Sequence, residues 1–373
     1  MKKALGIIAV TLAAGCVFAA GCSGCNGTGK NVSPLASNWY ANTSFRNIQP
    51  SFIEGNKGND GNPLFKAEKI TYDVNFIKPV GGNATYSVEY KNGSYTTEFY
   101  AKAFDTSKIH SDHTSGYPTK DIIAYYYNTE FTADITYTFG DDSETFEKAS
   151  VVTECYFLSV ADELRPLYSK QTVKSPSPAV LQATSLESCY KLYDMVYTSY
   201  YSYNGKSVIT QITDNLDGDN SKVVKRGVGG TSNSLFDVTS LDIVLRALIG
   251  SSFNQTIDLY SPLNSIKSFT LSSPSTSLND VEKEDITKIL KDKGLYVPVI
   301  KDEKEVGLQT TAVTVTSNTQ LPGVSQTYWF AKVENKRNNT GRATLLKISL
   351  PIVFNLGTLE YKIKEISSTL WNE

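Results

Sequence analysis

The sequence predicts a mainly β fold: an antiparallel meander forming a curved sheet, half-barrel or sandwich, with about two helices packed on it. Three observations carry this. Segments of alternating apolar and polar residues recur along the chain, each closed by a Gly, Asn or Asp turn. Tyrosine (23) outnumbers phenylalanine (16) and tryptophan (3), and together with abundant threonine it favours half-exposed pleated surfaces. Only two stretches repeat with helical period, and many hairpins with few helices argue against a parallel α/β sheet.

The elements follow in order. Ala84 to Tyr90 alternates, Asn92-Gly93 offers the two positive-φ residues of a type I′ turn, and Tyr95 to Tyr100 returns. Ile135 to Phe139 runs into Gly140-Asp141-Asp142 and emerges as a strand leading to Val151-Val152. Tyr190 to Tyr203 turns at Asn204-Gly205 and returns through Val208 to Thr210. Leu241 to Ile249 is apolar on most faces and stops at Gly250, so it reads as a buried helix. Asp280 to Lys293 carries Val281, Ile286, Ile289 and Leu290 on one broad face, with Asn279 as cap and Gly294 as stop. Trp329 to Val333 leads to a loop around 338–341. Leu345 to Phe354 and Leu359 to Ile366 then pair around Asn355-Leu356-Gly357. Pro351 inside the first of these strands predicts an edge or a bulge, because proline lacks the ladder N–H.

Residues 1–21 read as a secretory signal, 22–38 as a flexible tether and 39–373 as the folded region. A joint near 174–180, around Lys174-Ser175-Pro176-Ser177-Pro178, divides the folded region into two subdomains. The signal has a basic start at Lys2 and Lys3, an uncharged apolar run from Ala4 to Ala20, and small residues before Cys22. Ala19-Ala20-Gly21-Cys22 resembles the lipobox of bacterial lipoproteins. That resemblance implies a diacylglycerol on the cysteine thiol, removal of the signal, and attachment to the outer face of a membrane. Ala13-Ala14-Gly15-Cys16 is a second string of the same kind. Cutting there leaves an apolar tail beginning Val17-Phe18, whereas Cys22 is followed by the polar, glycine-rich stretch that suits a tether. Two acyl chains give stable anchoring where one gives marginal anchoring.

Loss of Lys2 and Lys3 moves the formal charge from −2 to −4, which leaves no basic footprint for nucleic acid. Cys155 and Cys189, both beside strand-like segments in an exported chain, can pair as a disulfide or stay buried as thiols. No C-x-x-C occurs in the folded part, so zinc-ribbon and thioredoxin-type chemistry is not indicated.

Four strings bear on chemistry. His110-Ser111-Asp112-His113 holds both histidines, but it runs on through turn residues to Pro118 and reads as a surface loop rather than a preset metal site. Asp214 to Asn220 is acidic, yet Asn220 stands where a calcium loop needs glycine and Arg226 where it needs glutamate. Ser188-Cys189-Tyr190-Lys191 has S-x-x-K spacing without a Lys-Thr-Gly strand. Arg226 to Thr231 is glycine-rich without the G-K-[ST] of a phosphate loop. No metal and no cofactor is therefore expected. The tyrosines remain: Tyr125 to Tyr127, and Tyr197, Tyr200, Tyr201 and Tyr203, place polar-tipped rings on both faces of their strands. Such rings serve either as a binding surface or as cross-strand packing.

The reading that follows is a non-catalytic, membrane-anchored envelope protein whose sheet binds a protein, glycan or lipid partner. Two other readings use the same elements. One is a carrier or sensor of apolar or lipid ligands in a half-barrel cavity, similar in architecture to the half-barrels of lipoprotein carriers. The other is a hydrolase whose paired carboxylates no single sequence reveals.

Overall fold

Period-two alternation produces unusually long strands, well beyond the common five or six residues. The computed structural model describes residues 67–369, apart from 83, 120, 161–162, 229–234, 247–253, 263–264, 275–276, 299, 302, 318–324 and 334–341. The signal, Cys16, Cys22, the tether, Gly250 and the 338–341 loop lie outside the described residues. In chain order the elements are β1 (Ala67–Ile77), β2 (Ser87–Ala103), β3 (Ile123–Phe139), β4 (Asp142–Val160), β5 (Glu163–Pro178), α1 (Leu186–Cys189), β6 (Tyr190–Tyr201), β7 (Ser207–Asp214), β8 (Lys222–Gly227) and β9 (Leu235–Asp237). They continue with α2 (Leu241–Leu245), β10 (Asn254–Ser261), β11 (Ser265–Ser272), α3 (Asp280–Asp292), β12 (Ile300–Lys301), β13 (Lys304–Glu305), β14 (Thr311–Ser317), β15 (Ser325–Val333), β16 (Arg342–Ile352) and β17 (Gly357–Thr369).

Fifteen strands form one sheet in the order β8-β7-β6-β5-β4-β3-β2-β1-β17-β16-β15-β14-β11-β10-β9, while β12 and β13 pair separately. Its ladders are antiparallel except β9–β10. The fold is thus the mainly β, antiparallel, curved sheet expected. The sheet is not closed into a barrel, but its β9–β10 end curls back over β5–β7. Tyr260 of β10 lies 2.7 Å from the Thr210 hydroxyl of β7, and Asp237 of β9 accepts from Ser169 of β5 at 2.6 Å.

A bend line helps long strands to curl. Asn92-Gly93, expected as a hairpin turn, is instead a bulge inside the continuous strand β2. The positive φ of Asn92 (52°) serves the bulge as it would have served a turn. Opposite it the β3–β4 register also slips, beside Lys148, whose φ is likewise 52°. Asp134 joins the two bulges, accepting from Asn92 Nδ2 at 2.7 Å and from the Lys148 backbone N–H at 2.9 Å. Gly93 is needed for close approach as well, since a Cβ there would sit 2.7 Å from Val74 Cβ.

Other expectations resolve locally. The Gly140–Asp141 turn and the Asn204-Gly205 turn join β3 to β4 and β6 to β7 as predicted. Residues 174–178, expected as part of a domain joint, are the end of β5. They pair residue by residue with β6, and Ser175 and Ser177 are buried, so no linker lies there. Pro351 sits on β16, a strand flanked on both sides. Pairing with β15 stops at Ser349, however, so the proline falls where that flank of the ladder has already ended. Helix α3 is capped by Asn279, buries Ile286 and Leu290, and ends at Gly294 with φ 64°. Val281 is 70 % exposed, so the apolar face is narrower than its periodicity suggests. The helix is held to the outer face of β16 and β17 by Lys347–Glu282 and Lys362–Asp285, each at 2.6 Å.

Candidate functional site

Strand alternation gives the sheet two faces with different fates. On the inner face, small residues meet in register: Thr129 beside Thr153, Cys155 beside Ser169, and Ser169 beside Ser199. They leave room that the chain fills with its own residues 236–246, all buried. Asp237 takes hydrogen bonds from Ser169, Tyr201 and Thr239. Asp242 takes one from Tyr127. Arg246 meets Glu68 at 2.5 Å and donates to the Ala343 carbonyl at 3.1 Å. Burial pushes the Asp242 carboxyl up to about 6, against the opposing pull of Tyr127 and Arg246. The carboxylates here are thus taken up in fixing the inserted segment. The sequence signal for this insertion was the apolar 241–249 stretch; its polar partners lie far away in the chain.

The outer face carries a different pattern. Register aligns Tyr100, Tyr126, Tyr156, Tyr168 and Tyr200 across β2 to β6. Successive rings are 5.0, 4.9, 6.1 and 5.6 Å apart, each tilted or edge-on to the next. At strand spacing the row is roughly 19 Å long. Beside it, two residues along each strand, runs a polar row: Glu98, Asn128, Glu154, Lys170 and Thr198. Lys102 lies 3.5 Å from the Tyr126 ring centre, and burial lowers its ammonium's pKa.

Residues 104–117 strap the far half of this row. Phe104 packs on Tyr156 and Tyr117. Lys108 sits 4.4 Å from the Tyr168 ring centre and pairs with Glu154 at 2.8 Å. His110 stacks edge-on against Tyr200 at 5.4 Å. Tyr156 and Tyr168 are therefore buried, while Tyr100 and Tyr126 remain half-buried.

The residues singled out in the sequence are distributed between the two faces. Tyr197 and Tyr201, expected with Tyr200 and Tyr203 as one surface, are buried on the inner face, because alternation sends odd-numbered residues of β6 inward. Tyr200 belongs to the outer row, and Tyr203 packs on Tyr117. The expected surface is therefore corrected to the cross-strand row, of whose five rings the sequence singles out Tyr126 and Tyr200. The Cys155–Cys189 disulfide is also corrected: both are free, buried thiols. Cys155 lies opposite Ser169, whereas Cys189 bonds to Ala179, ten residues further along the same edge. At about 3.3 Å per residue that is roughly 30 Å, far beyond disulfide reach.

His110 Nδ1 accepts from the Asp112 backbone N–H at 3.2 Å, while His113 turns its Nε2 to Ser207 Oγ at 3.2 Å, so the two rings do not share a metal position. Among the described residues no group of three His, Cys, Asp or Glu side chains is placed to hold a metal. The carboxylates of Asp214 and Asp217 accept from their own turn's N–H groups. Ser188 Oγ donates to the Ser185 carbonyl at 2.8 Å. Arg226 and Gly227 end β8, and the rest of that glycine-rich string lies largely outside the described residues. Among the described residues no helix is long and apolar enough to cross a membrane. No protein family model, curated protein or solved structure matches the chain.

Proposed function

We propose that this is a non-catalytic lipoprotein of the cell envelope, anchored through Cys22, whose outer tyrosine row binds a glycan. The observation that carries the binding reading is the pairing of two rows on one face. Aromatic rings present apolar faces to a pyranose, and amide, carboxylate and ammonium groups one step away suit its hydroxyls. Tyr100 and Tyr126 form the accessible end, with Glu98, Asn128 and Lys102 within reach of the same ligand. An apolar carrier is less well supported, because residues 236–246 and their charged partners occupy the inner face.

The binding test is isothermal titration of the mature protein with peptide-free cell-wall glycan strands. Wild type should bind, and the Tyr100→Ala/Tyr126→Ala variant should lose binding while keeping its far-UV dichroism. Base stacking on aromatic side chains contributes about 1–3 kcal/mol per ring, and a sugar face on two rings is expected to show a loss of similar order. Equal heats from the two proteins would remove the assignment. The anchor is tested with a labelled fatty acid: Cys22→Ser should abolish incorporation, and normal labelling would move the site to Cys16.

A further inference from the structure

We propose that residues 104–117 are a proton-released lid over the far half of the tyrosine row, so that acidification lengthens the binding site from two open rings to five. The inference rests on the glycan-binding reading of the same row.

Besides the ring packing of Phe104, His110 and Tyr117 and the Phe104 N–H bond to the Ile122 carbonyl at its start, the lid is held among the described residues by few polar side-chain contacts, and one is conditional. Two short 3-10 turns, Thr106–Lys108 and Ser111–Gly116, give it shape without an extended ladder to the sheet. The Tyr117 hydroxyl donates to the Tyr201 carbonyl at 2.7 Å, Asp112 pairs with Lys225 of β8, and Lys108 pairs with Glu154. The remaining polar side-chain contact is that of His113, which is buried against the β6–β7 turn with Nε2 on Ser207 Oγ. Its Nδ1 is buried with no hydrogen-bond partner. A neutral ring with its hydrogen on Nε2, donating to Ser207, leaves that nitrogen as an unfilled acceptor, whereas a protonated ring places an N–H there with nothing to receive it. The second state costs more, since an uncompensated charge is then buried.

The groups facing the ring do not reverse this. His110 and Asp112 face it from the lid, Ser207 from β7 and Lys225 from β8. Asp112 favours the proton, but it is exposed and already engaged with Lys225, whose own charge opposes it. Burial is the largest influence and holds the His113 pKa below its ordinary 6.5. The sign follows: the open lid binds the proton more readily than the closed one, so closure is strongest above about pH 6.5 and weakens as pH falls below it. What opening uncovers is Tyr156, Tyr168 and Tyr200, the three rings that Phe104, Lys108 and His110 now cover.

Hydrogen exchange by mass spectrometry on the full mature chain tests the lid without any ligand. The relevant amides are those of Ile109, His113 and Tyr117, which close the two turns. After correction for the intrinsic pH dependence of exchange, their opening should rise several-fold between pH 7 and pH 5. One proton limits the rise to about tenfold per pH unit. His113→Gln, which stays neutral, should flatten the response. If that variant fails to fold, Lys225→Gln serves: without the neighbouring cation, protonation costs less, and the response should shrink. A flat wild-type profile, or an unchanged response in the variant that folds, overturns the lid.

The ligand arm uses the peptide-free glycan strands. Wild-type binding should tighten from pH 7 to pH 5, and Tyr168→Ala should remove most of that gain. Equal effects at both pH values overturn the lengthening of the site. Absence of glycan binding at either pH, with the exchange response intact, overturns the glycan reading and with it the five-ring site.

Discussion

The inner face predicts a large and specific stability effect at Arg246. Its guanidinium and the Glu68 carboxylate are 2 % and 1 % exposed as side chains and lie 2.5 Å apart. Arg246 also donates to the Ala343 carbonyl at 3.1 Å and faces the Phe99 ring. Replacing Arg246 with Met keeps most of the apolar stem but leaves Glu68 buried without its cation. Two unit charges about 4 Å apart interact by roughly 4 kcal/mol at an effective dielectric of 20. Removing one partner of a buried pair costs about 3–5 kcal/mol. Urea unfolding at pH 7, followed by circular dichroism, should therefore show Arg246→Met destabilised within that range. The Glu68→Gln/Arg246→Met double variant should recover most of the loss, because a neutral pair leaves no buried charge. A single-variant loss below about 1 kcal/mol, smaller than the cost of most buried charge removals, would refute the argument. So would a double variant no more stable than the single one.

Three further outcomes follow from other contacts. Gly93→Ala should destabilise by about 1–3 kcal/mol, the usual cost of overpacking, because the new Cβ meets both Val74 Cβ and the Val74 carbonyl oxygen; Val74→Ala should not relieve it, since both atoms remain. The Asp242 carboxyl, raised to about 6, holds its proton more tightly when folded, so it contributes stability at low pH that is lost as pH rises from about 4 to 6. Asp242→Asn should flatten that slope, and an unchanged slope in urea titrations would exclude Asp242 as its source. Peptide mapping without reductant should recover Cys155 and Cys189 as thiols, and a crosslinked peptide would contradict their placement.

The parts of this fold that depend on one strand and its own turn were legible in the residues. The Gly140–Asp141 and Asn204-Gly205 turns, the capped helix α3 and the C-terminal hairpin all follow from local backbone chemistry. Asn92-Gly93 misled because positive φ serves a bulge as well as a turn, and only the neighbouring strands β1 and β3 distinguish the two. The tyrosine row was legible only in fragments. Tyr125 to Tyr127 and Tyr197 to Tyr203 marked two strands, but Tyr100, Tyr156 and Tyr168 join the row through register, a property of pairs of strands rather than of any one segment. The same limit hid the Arg246–Glu68 pair, whose members are 178 residues apart.

The two faces also constrain each other. A curved sheet of this breadth must cover its concave side, and the small residues at Ser169, Ser199 and Thr210 leave a space too deep for neighbouring strands alone to fill. Residues 236–246 fill it, but they bring Asp237, Asp242 and Arg246 with them, and each demands a buried partner. Tyr127, Tyr201 and Glu68 are committed to that task and are lost to any outward role. Alternation then sends Tyr126 and Tyr200, the immediate neighbours of those committed tyrosines, to the other side. The inward need for hydrogen-bonding rings and the outward aromatic row therefore arise from the same tyrosine-rich strands. Replacing Tyr127 or Tyr201 should accordingly damage the core, whereas replacing Tyr100 or Tyr126 should act on binding and leave stability within about 1 kcal/mol, as expected for part-exposed positions away from buried networks.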